Sequence, residues 1–371
     1  MRYGLLSTHP PTRCGLATFN AALAGSLVTT GAAAEVVRVV EPGDDRPGAA
    51  APYVPPAGVP VVHTWAAREP EGWRTAADCL NGFDVAIIQH EYGIYPGADG
   101  ADVLRLMRRL AVPGIVVLHT VLSHPTPRQK SVLEQIVAVA GAAVTMTATA
   151  RDRLLSGYDV DPLKISVIPH GADDLTAIPA VRRQRPHLLT WGLLGPGKGI
   201  EWALRALALL GRLDPVYTVA GRTHPKVMER HGEAYRAGLH RLSAELGVTR
   251  SVEFQDTYHD RASLGGLIRS ADVVVLPYDS TEQVTSGVLI EAVAAGIPVV
   301  ATAFPHAVEL LTDGPGLVVP HRNPRALSTA IRQVLTRPKL LAGRQPRADD
   351  GVLGWPAVAA RYATLATGLT A

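Results

Sequence analysis

The sequence predicts an α/β protein built from two successive, doubly wound halves. Three observations carry this reading. Short apolar runs ending in Gly, His or Pro alternate with helix-like stretches along most of the chain, the pattern of parallel sheets with helices on both faces. The alternation pauses once, at residues 179–186 (PAVRRQRP), where two prolines and three arginines with little apolar content read as a linker. A chain of 371 residues is also too long for one ordinary core and about right for two.

In the first half, residues 3–6, 35–40, 84–88, 114–118, 142–146 and 165–168 read as strands, and 16–29, 101–110, 127–140 and 148–156 as helices. After the linker the strand-like runs are 187–191, 216–220, 252–255, 273–276, 299–302 and 316–319. The helix-like runs there are 199–210, 232–246, 262–270, 288–295, 306–311 and 324–335. A polar break at 343–351 precedes a last helix from about 355 to 369. Ligands of such sheets bind beyond the carboxyl ends of the strands. Two halves of similar size are expected to place a small-molecule cleft between them.

Composition narrows the partners. Hydrophobic residues make up 47% and charged residues 19%, a globular balance; aromatics are only 5%, so Ala, Val, Leu and Ile must build the cores. A net charge of +3 suits an anionic small ligand or a weak membrane contact, whereas nucleic acid requires clustered charge. Residues 104–110 (LRLMRRL) form a short basic amphipathic stretch that could touch anionic lipid, though a solvated helix face is the better explanation. Cys14 and Cys79 form no C-x-x-C pattern, which argues against a disulfide framework or a zinc site and fits a reducing compartment. No apolar leader opens the chain, and no stretch approaches the roughly 18 apolar residues of a spanning helix. The expected location is the cytoplasm, with at most surface contact at a membrane.

The chemistry concentrates at predicted strand ends. Ser286-Gly287 opens an apolar helix after a polar loop. Free N–H groups and the dipole at such a start attract an anion. Glu291 lies one turn in, a lone carboxylate among apolar neighbours, placed to accept hydrogen bonds from vicinal hydroxyls such as those of a ribose; the plainer alternative is a cap or an ion pair on a solvated face. Lys198, in GLLGPGKG at 192–199, follows a strand and precedes a helix, where a cation can neutralise a diphosphate. Gly15 and Thr18 sit in the first strand-to-helix turn, PPTRCGLAT. Three histidines, His90 (followed by Glu91), His119 and His170, each follow a strand of the first half, and His306 follows one of the second. Their spacing fits no familiar metal-ligand pattern.

These motifs resemble the retaining, nucleotide-sugar-dependent glycosyltransferases of family 4, which have the GT-B fold of two facing Rossmann-like domains. The family carries E-x(7)-E followed by A-x-A-x-G-x-P-V-V-A, and this chain has EAVAAGIPVVA at 291–301. The resemblance implies that Glu291 binds the donor ribose. Eight residues before it stands Gln283 rather than Glu, with Glu282 one position too early. Either Gln283 supplies neutral hydrogen bonds to the donor sugar or a longer loop brings Glu282 there. The family pattern G-R-L-x-P-x-K-G places an Arg and a Lys on the diphosphate; here Lys198 matches and Leu193 takes the Arg position. Arg222 and Arg236 are the candidate replacements. By the same resemblance Gly15 approaches the donor phosphate or the acceptor and His119 lies against the transferred sugar. From their place at strand ends facing the expected cleft, His90 and Glu91 are candidates for acceptor or donor hydroxyls and His306 for a sugar or phosphate contact, while His170 is either a further contact or a turn residue near the hinge.

The expected domains are therefore 1–180, completed by the helix at 355–369, for the acceptor, and 187–350 for the donor. The expected reaction transfers a hexose, with GDP-mannose and UDP-glucose the leading donors, to an acceptor hydroxyl without a metal or other cofactor. Two rivals remain open at this level. One is a GT-B epimerase or phosphorylase. The other is a catalytically weakened nucleotide-sugar-binding or partner subunit, suggested by Leu193 and Gln283.

Overall fold

A computed structural model describes residues 1–40, 58–66, 69, 71–181, 183–312, 314–337 and 353–371. The chain divides into two compact units, Met1–Gly171 with Val352–Ala371, and Ala172–Gly351.

The strands of unit 1 are β1 (Arg2–Ser7), β2 (Ala33–Val40), β3 (Val61–Ala66), β4 (Val85–His90), β5 (Gly114–Leu118), β6 (Ala142–Thr145) and β7 (Ile165–Val167). They form one sheet in the order β3-β2-β1-β4-β5-β6-β7, paired in parallel throughout. Its helices are α1 (Gly15–Thr29), α2 (Gly72–Leu80), α3 (Asp102–Met107), α4 (Pro127–Val139) and α5 (Ala148–Gly157). Local chemistry fixes several starts. At α4 the Thr126 hydroxyl accepts from Gln129 N while the Gln129 side chain accepts from Thr126 N, with Pro127 in the first turn.

Unit 2 repeats the plan with β8 (His187–Trp191), β9 (Val216–Ala220), β10 (Val252–Gln255), β11 (Val273–Leu276), β12 (Val299–Thr302) and β13 (Gly316–Val319). Their order is β10-β9-β8-β11-β12-β13, again parallel. The helices are α6 (Ile200–Ala208), α7 (Pro225–His231), α8 (Ala234–Glu245), α9 (Arg261–Arg269), α10 (Gly287–Ala294), α11 (Pro305–Leu311) and α12 (Pro324–Thr336). A last helix, α13 (Trp355–Thr370), returns to unit 1.

Each sheet runs outward from its first strand and then resumes on that strand's other side. The order reverses between β1 and β4 in unit 1 and between β8 and β11 in unit 2. Such reversals splay the connecting loops apart and leave room for a ligand at the carboxyl ends.

The cores follow the two-residue period of strands. In unit 1, Tyr3, Leu5, Ile87, Ile115 and Val117 share one buried layer with Phe19, Leu23 and Leu27 of α1 and Trp355, Val358 and Tyr362 of α13. In unit 2, Leu188, Tyr217, Val219, Val275 and Val300 pack with Leu204 and Leu207 of α6 and Leu327, Ile331 and Val334 of α12.

The structure differs from the sequence reading in three places. Strand β3 and helix α2 lie in the unassigned interval between residues 40 and 84. β3 is an edge strand with four residues exposed or half-buried before Trp65, so it lacks a continuous apolar run. Helix α7 also lies outside the elements that the pattern predicts; it is short and none of its residues is buried. The boundary between the units falls after Gly171, ahead of the 179–186 linker. Leu175 and Ile178 account for this, because they close on Gly265 of α9 so tightly that a Cβ there would lie 2.4 Å from Ile178 and 3.2 Å from Leu175.

Candidate functional site

The predicted residues gather in two places, one on each unit. At the reversal of unit 2, the loop after β8 carries Lys198 and the loop after β11 leads into α10. Glycine shapes the first loop. Gly199 has φ +63°, and a Cβ on it would lie 1.8 Å from the Pro277 carbonyl oxygen. That close approach brings the β8 and β11 loops together. Lys198 is half-buried, its Nζ 4.3 Å from the centre of the Tyr278 ring, an attractive cation–π placement. Tyr278 is itself buried, and its hydroxyl has no partner among the described residues.

Helix α10 starts at a serine cap. The Ser286 hydroxyl accepts from Leu289 N at 3.3 Å, and Ser286 N–H donates to His306 Nδ1 at 2.8 Å. His306 is buried at the start of α11, and its own N–H donates to the Gln283 carbonyl at 3.3 Å. One turn into α10, Glu291 accepts from the indole N–H of Trp191, the last residue of β8, at 3.0 Å. Burial pushes the Glu291 carboxyl up to about 7; the indole hydrogen bond opposes this and the charge of Asp173 adds to it. Asp173 is in turn held by Arg261 at 2.6 Å, and burial raises its pKa against that partner.

Glu282 and Gln283 lie in the loop before the cap. The Gln283 amide donates to the Thr285 carbonyl at 3.2 Å, and Glu282 N–H to the Ser280 hydroxyl at 3.2 Å. Arg222 follows β9, half exposed, with an ion-pair contact to Asp256 at 3.9 Å. Leu194 and Thr223 form an isolated parallel bridge, so Arg222 runs beside Leu193. Arg236, by contrast, is buried on α8. Its guanidinium donates to the Gly221 carbonyl at 2.6 Å and pairs with Asp256 at 3.2 Å and Glu233 at 3.4 Å. These contacts brace the β9 turn.

The second gathering is at the carboxyl ends of unit 1. His119, just past β5, donates from Nε2 to Gln89 Oε1 at 2.8 Å, and Phe19 of α1 packs edge-on against it at 4.9 Å. Phe19 packs likewise on His170, at 5.0 Å. His170 Nδ1 donates to the Gly171 carbonyl at 2.6 Å, which fixes its tautomer. His90 is fully buried, neither ring nitrogen has a partner among the described residues, and Tyr92 stands edge-on to it at 5.1 Å. Burial lowers all three: His90 and His170 to about 4, and His119 to about 3 with added repulsion from His170 and His90. They are neutral at physiological pH. Glu91 accepts from Tyr92 N at 3.0 Å and from the Thr120 hydroxyl.

Gly15 is the first residue of α1. It is exposed, has no positive φ, and leaves open space within 4 Å of where a Cβ would sit. The protein alone does not require glycine there. Thr18 turns its hydroxyl back to the Cys14 carbonyl at 3.3 Å. The basic stretch at 104–110, which begins in α3 and runs past its end, is engaged with neighbours: Arg105 with Asp102, Arg108 with Gln135 and Arg109 with Asp78. Among the described residues, no helix is long and apolar enough to cross a membrane, and no group of three His, Cys, Asp or Glu side chains is arranged to hold a metal ion.

Three participants escape the sequence reading. Gln89 reads in sequence as the residue just past a strand ending at 88, but is the last-but-one residue of β4; Trp191 reads as strand and is the last of β8; the polar atoms of both show only once the fold pairs them. Asp173 carries no local signal at all.

The comparisons with known proteins fall on both gatherings. Residues 14–174 match the family model described as Glycosyltransferase Family 4, and residues 185–337 the model described as Glycosyl transferases group 1. The D-inositol 3-phosphate glycosyltransferase of Frankia alni is 29% identical over 320 residues, 76% of this chain and 77% of that protein. Its namesake from Geodermatophilus obscurus is 31% identical over 67% of this chain, which spans only 59% of that relative's length. Among solved structures, sucrose-phosphate synthase from Thermosynechococcus elongatus superposes with a TM-score of 0.75 at 19% identity, covering 100% of this chain and 99% of that one. The Anabaena protein HepE, solved with UDP-glucose, does so with 0.66 at 14% identity, covering 100% and 97%. At these identities the structures show a shared fold.

Proposed function

This chain belongs to the family 4 glycosyltransferases and has their two-domain GT-B fold, and from that premise we propose that it moves a hexose, with retention, from a nucleotide diphosphate sugar to an acceptor hydroxyl in the cytoplasm. The observation that carries the donor reading is the unit 2 constellation. Glu291 is set one turn into a capped helix start, with Lys198 on the neighbouring loop. A carboxylate beside an anion-attracting helix start and a cation matches the two ends of a nucleoside diphosphate. The ribose diol donates to Glu291, and the phosphates meet Lys198 and the Ser286-Gly287 start.

The transition state of such a transfer develops positive charge on the sugar and negative charge on the departing diphosphate. Stabilising the second is work for fixed cations and N–H groups. Arg222, beside Leu193 and held to Asp256 at 3.9 Å, is the proposed second cation. Arg236, engaged around Gly221, acts by bracing that turn. Neutral His119, with Nε2 committed to Gln89, presents Nδ1 to the transferred sugar. Glu91, His170 and Gly15 serve the acceptor side, and Gln283 or Glu282 the donor sugar; His90, expected among these contacts, is fully buried and sits behind the site instead. No metal or other cofactor enters this scheme; the leaving phosphate supplies the base. GDP-mannose and UDP-glucose are the first donors to test. The relatives' names make a cyclitol phosphate the first acceptor.

The second reading, a nucleotide-sugar-binding subunit without turnover, draws on Gln283, whose amide is turned onto Thr285. Incubation with each donor and inositol phosphate, followed by NMR of the product, separates the two. An α-linked product from an α-linked donor is expected. Donor binding without product from any acceptor would favour the subunit.

A further inference from the structure

Helix α10 leaves two of its first N–H groups without an acceptor among the described residues, and the cap residue before them is tied to His306. Leu289 N–H is taken by the Ser286 hydroxyl, and Ile290 N–H by the Ser286 carbonyl. Ser286 N–H goes to His306 Nδ1 at 2.8 Å. Gly287 and Val288 remain, with no acceptor for their N–H groups among the described residues. The same histidine donates its backbone N–H to the Gln283 carbonyl at 3.3 Å. Two hydrogen bonds therefore tie the 283–286 loop to the first turn of α11, from a residue that is 3% exposed.

We propose that His306 is a positioning residue of the donor site: its ring anchors the start of α10 so that the Gly287 and Val288 N–H groups stand ready for the donor phosphate. This rests on the donor reading above. The role differs from direct ligand contact in a way chemistry can resolve. The anchor uses Nδ1 as an acceptor, so the ring must be neutral with its proton on Nε2. A direct contact would have to use Nε2, since Nδ1 is already occupied.

Three variants separate the roles. His306→Asn places an amide oxygen near the Nδ1 position, His306→Gln places its amide near Nε2, and His306→Phe supplies neither. The probes are UDP and GDP, with uridine and guanosine as controls. His306→Phe and His306→Gln are expected to lose about tenfold in diphosphate affinity and donor KM, the scale of one hydrogen bond to a charged group, while nucleoside binding and kcat change little. His306→Asn is expected to restore most of the loss. Equal diphosphate affinity in all variants, or rescue by Gln and not Asn, would overturn the proposal. Should His306→Phe fail to fold, the ¹⁵N shifts of the His306 ring in the wild type decide instead: an Nε2–H tautomer is expected, and an Nδ1–H tautomer contradicts the anchor. Wild type that binds neither diphosphate would instead overturn the donor reading itself.

Discussion

At Glu291, burial and hydrogen bonding pull in opposite directions. Burial raises its pKa from 4.5 to about 7, and the Trp191 indole pulls it down. The folded state thus holds this proton more tightly than the unfolded chain does. Linkage then makes the carboxyl's contribution complete below pH 4.5 and lost as pH rises through 7. Unliganded wild type should lose stability over that window relative to Glu291→Gln, as read by denaturant midpoints at each pH. Nucleotide binding should run the other way. Ribose hydroxyls donate best to the ionised carboxylate, so affinity should climb toward pH 7 and level off above it. That slope should be absent in Glu291→Gln. A slope identical in both proteins would remove Glu291 from the ribose. The sequence made this residue legible, because a single charge in an apolar helix is conspicuous. It did not reveal Trp191, whose indole reaches Glu291 across 100 positions of chain.

Among the elements, the loops after β8 and β9 are fixed by backbone contacts that exclude a methyl group. A Cβ on Gly221, at φ +133°, would lie 2.0 Å from the Gly192 carbonyl, and Gly199 meets Pro277 more closely still. Gly221→Ala or Gly199→Ala should cost at least about 3 kcal/mol, seen as a lowered thermal midpoint. Gly15→Ala is the opposite case. Nothing crowds it, so unliganded stability should stay within about 0.5 kcal/mol, and any effect should appear in substrate affinity alone. The strands of unit 2 were legible because each is a short apolar run bounded by turn residues, as at Val273–Leu276 and Val299–Thr302. β3 was not, because an edge strand facing solvent needs no continuous apolar run. Arg236 was hard to place for a related reason. Sequence shows a helical arginine but not the acids and carbonyl that draw it inward.

Over the whole molecule, the last helix belongs with the first unit. Trp355 packs at 5.0 Å on Phe19, and Val358 and Tyr362 complete that core. Trp355→Ala should therefore cost about 3–5 kcal/mol, and hydrogen exchange should rise in α1 and the β1 sheet rather than in unit 2. Faster exchange confined to unit 2 would contradict the assignment of α13. The two-unit plan itself was readable from alternation and one linker. Where the chain changes unit was not, since Leu175 and Ile178 reveal their allegiance only by packing on Gly265. The central claim is that unit 2 binds a nucleoside diphosphate through Glu291, Lys198 and the α10 start. Its most direct test is thermal unfolding with UDP, GDP and ADP, and with their sugar conjugates, in wild type and Glu291→Ala. One nucleotide at about 100 times its Kd should stabilise the wild type by roughly 2.7 kcal/mol, and the variant far less. No shift with any nucleotide, or equal shifts in both proteins, would contradict the account.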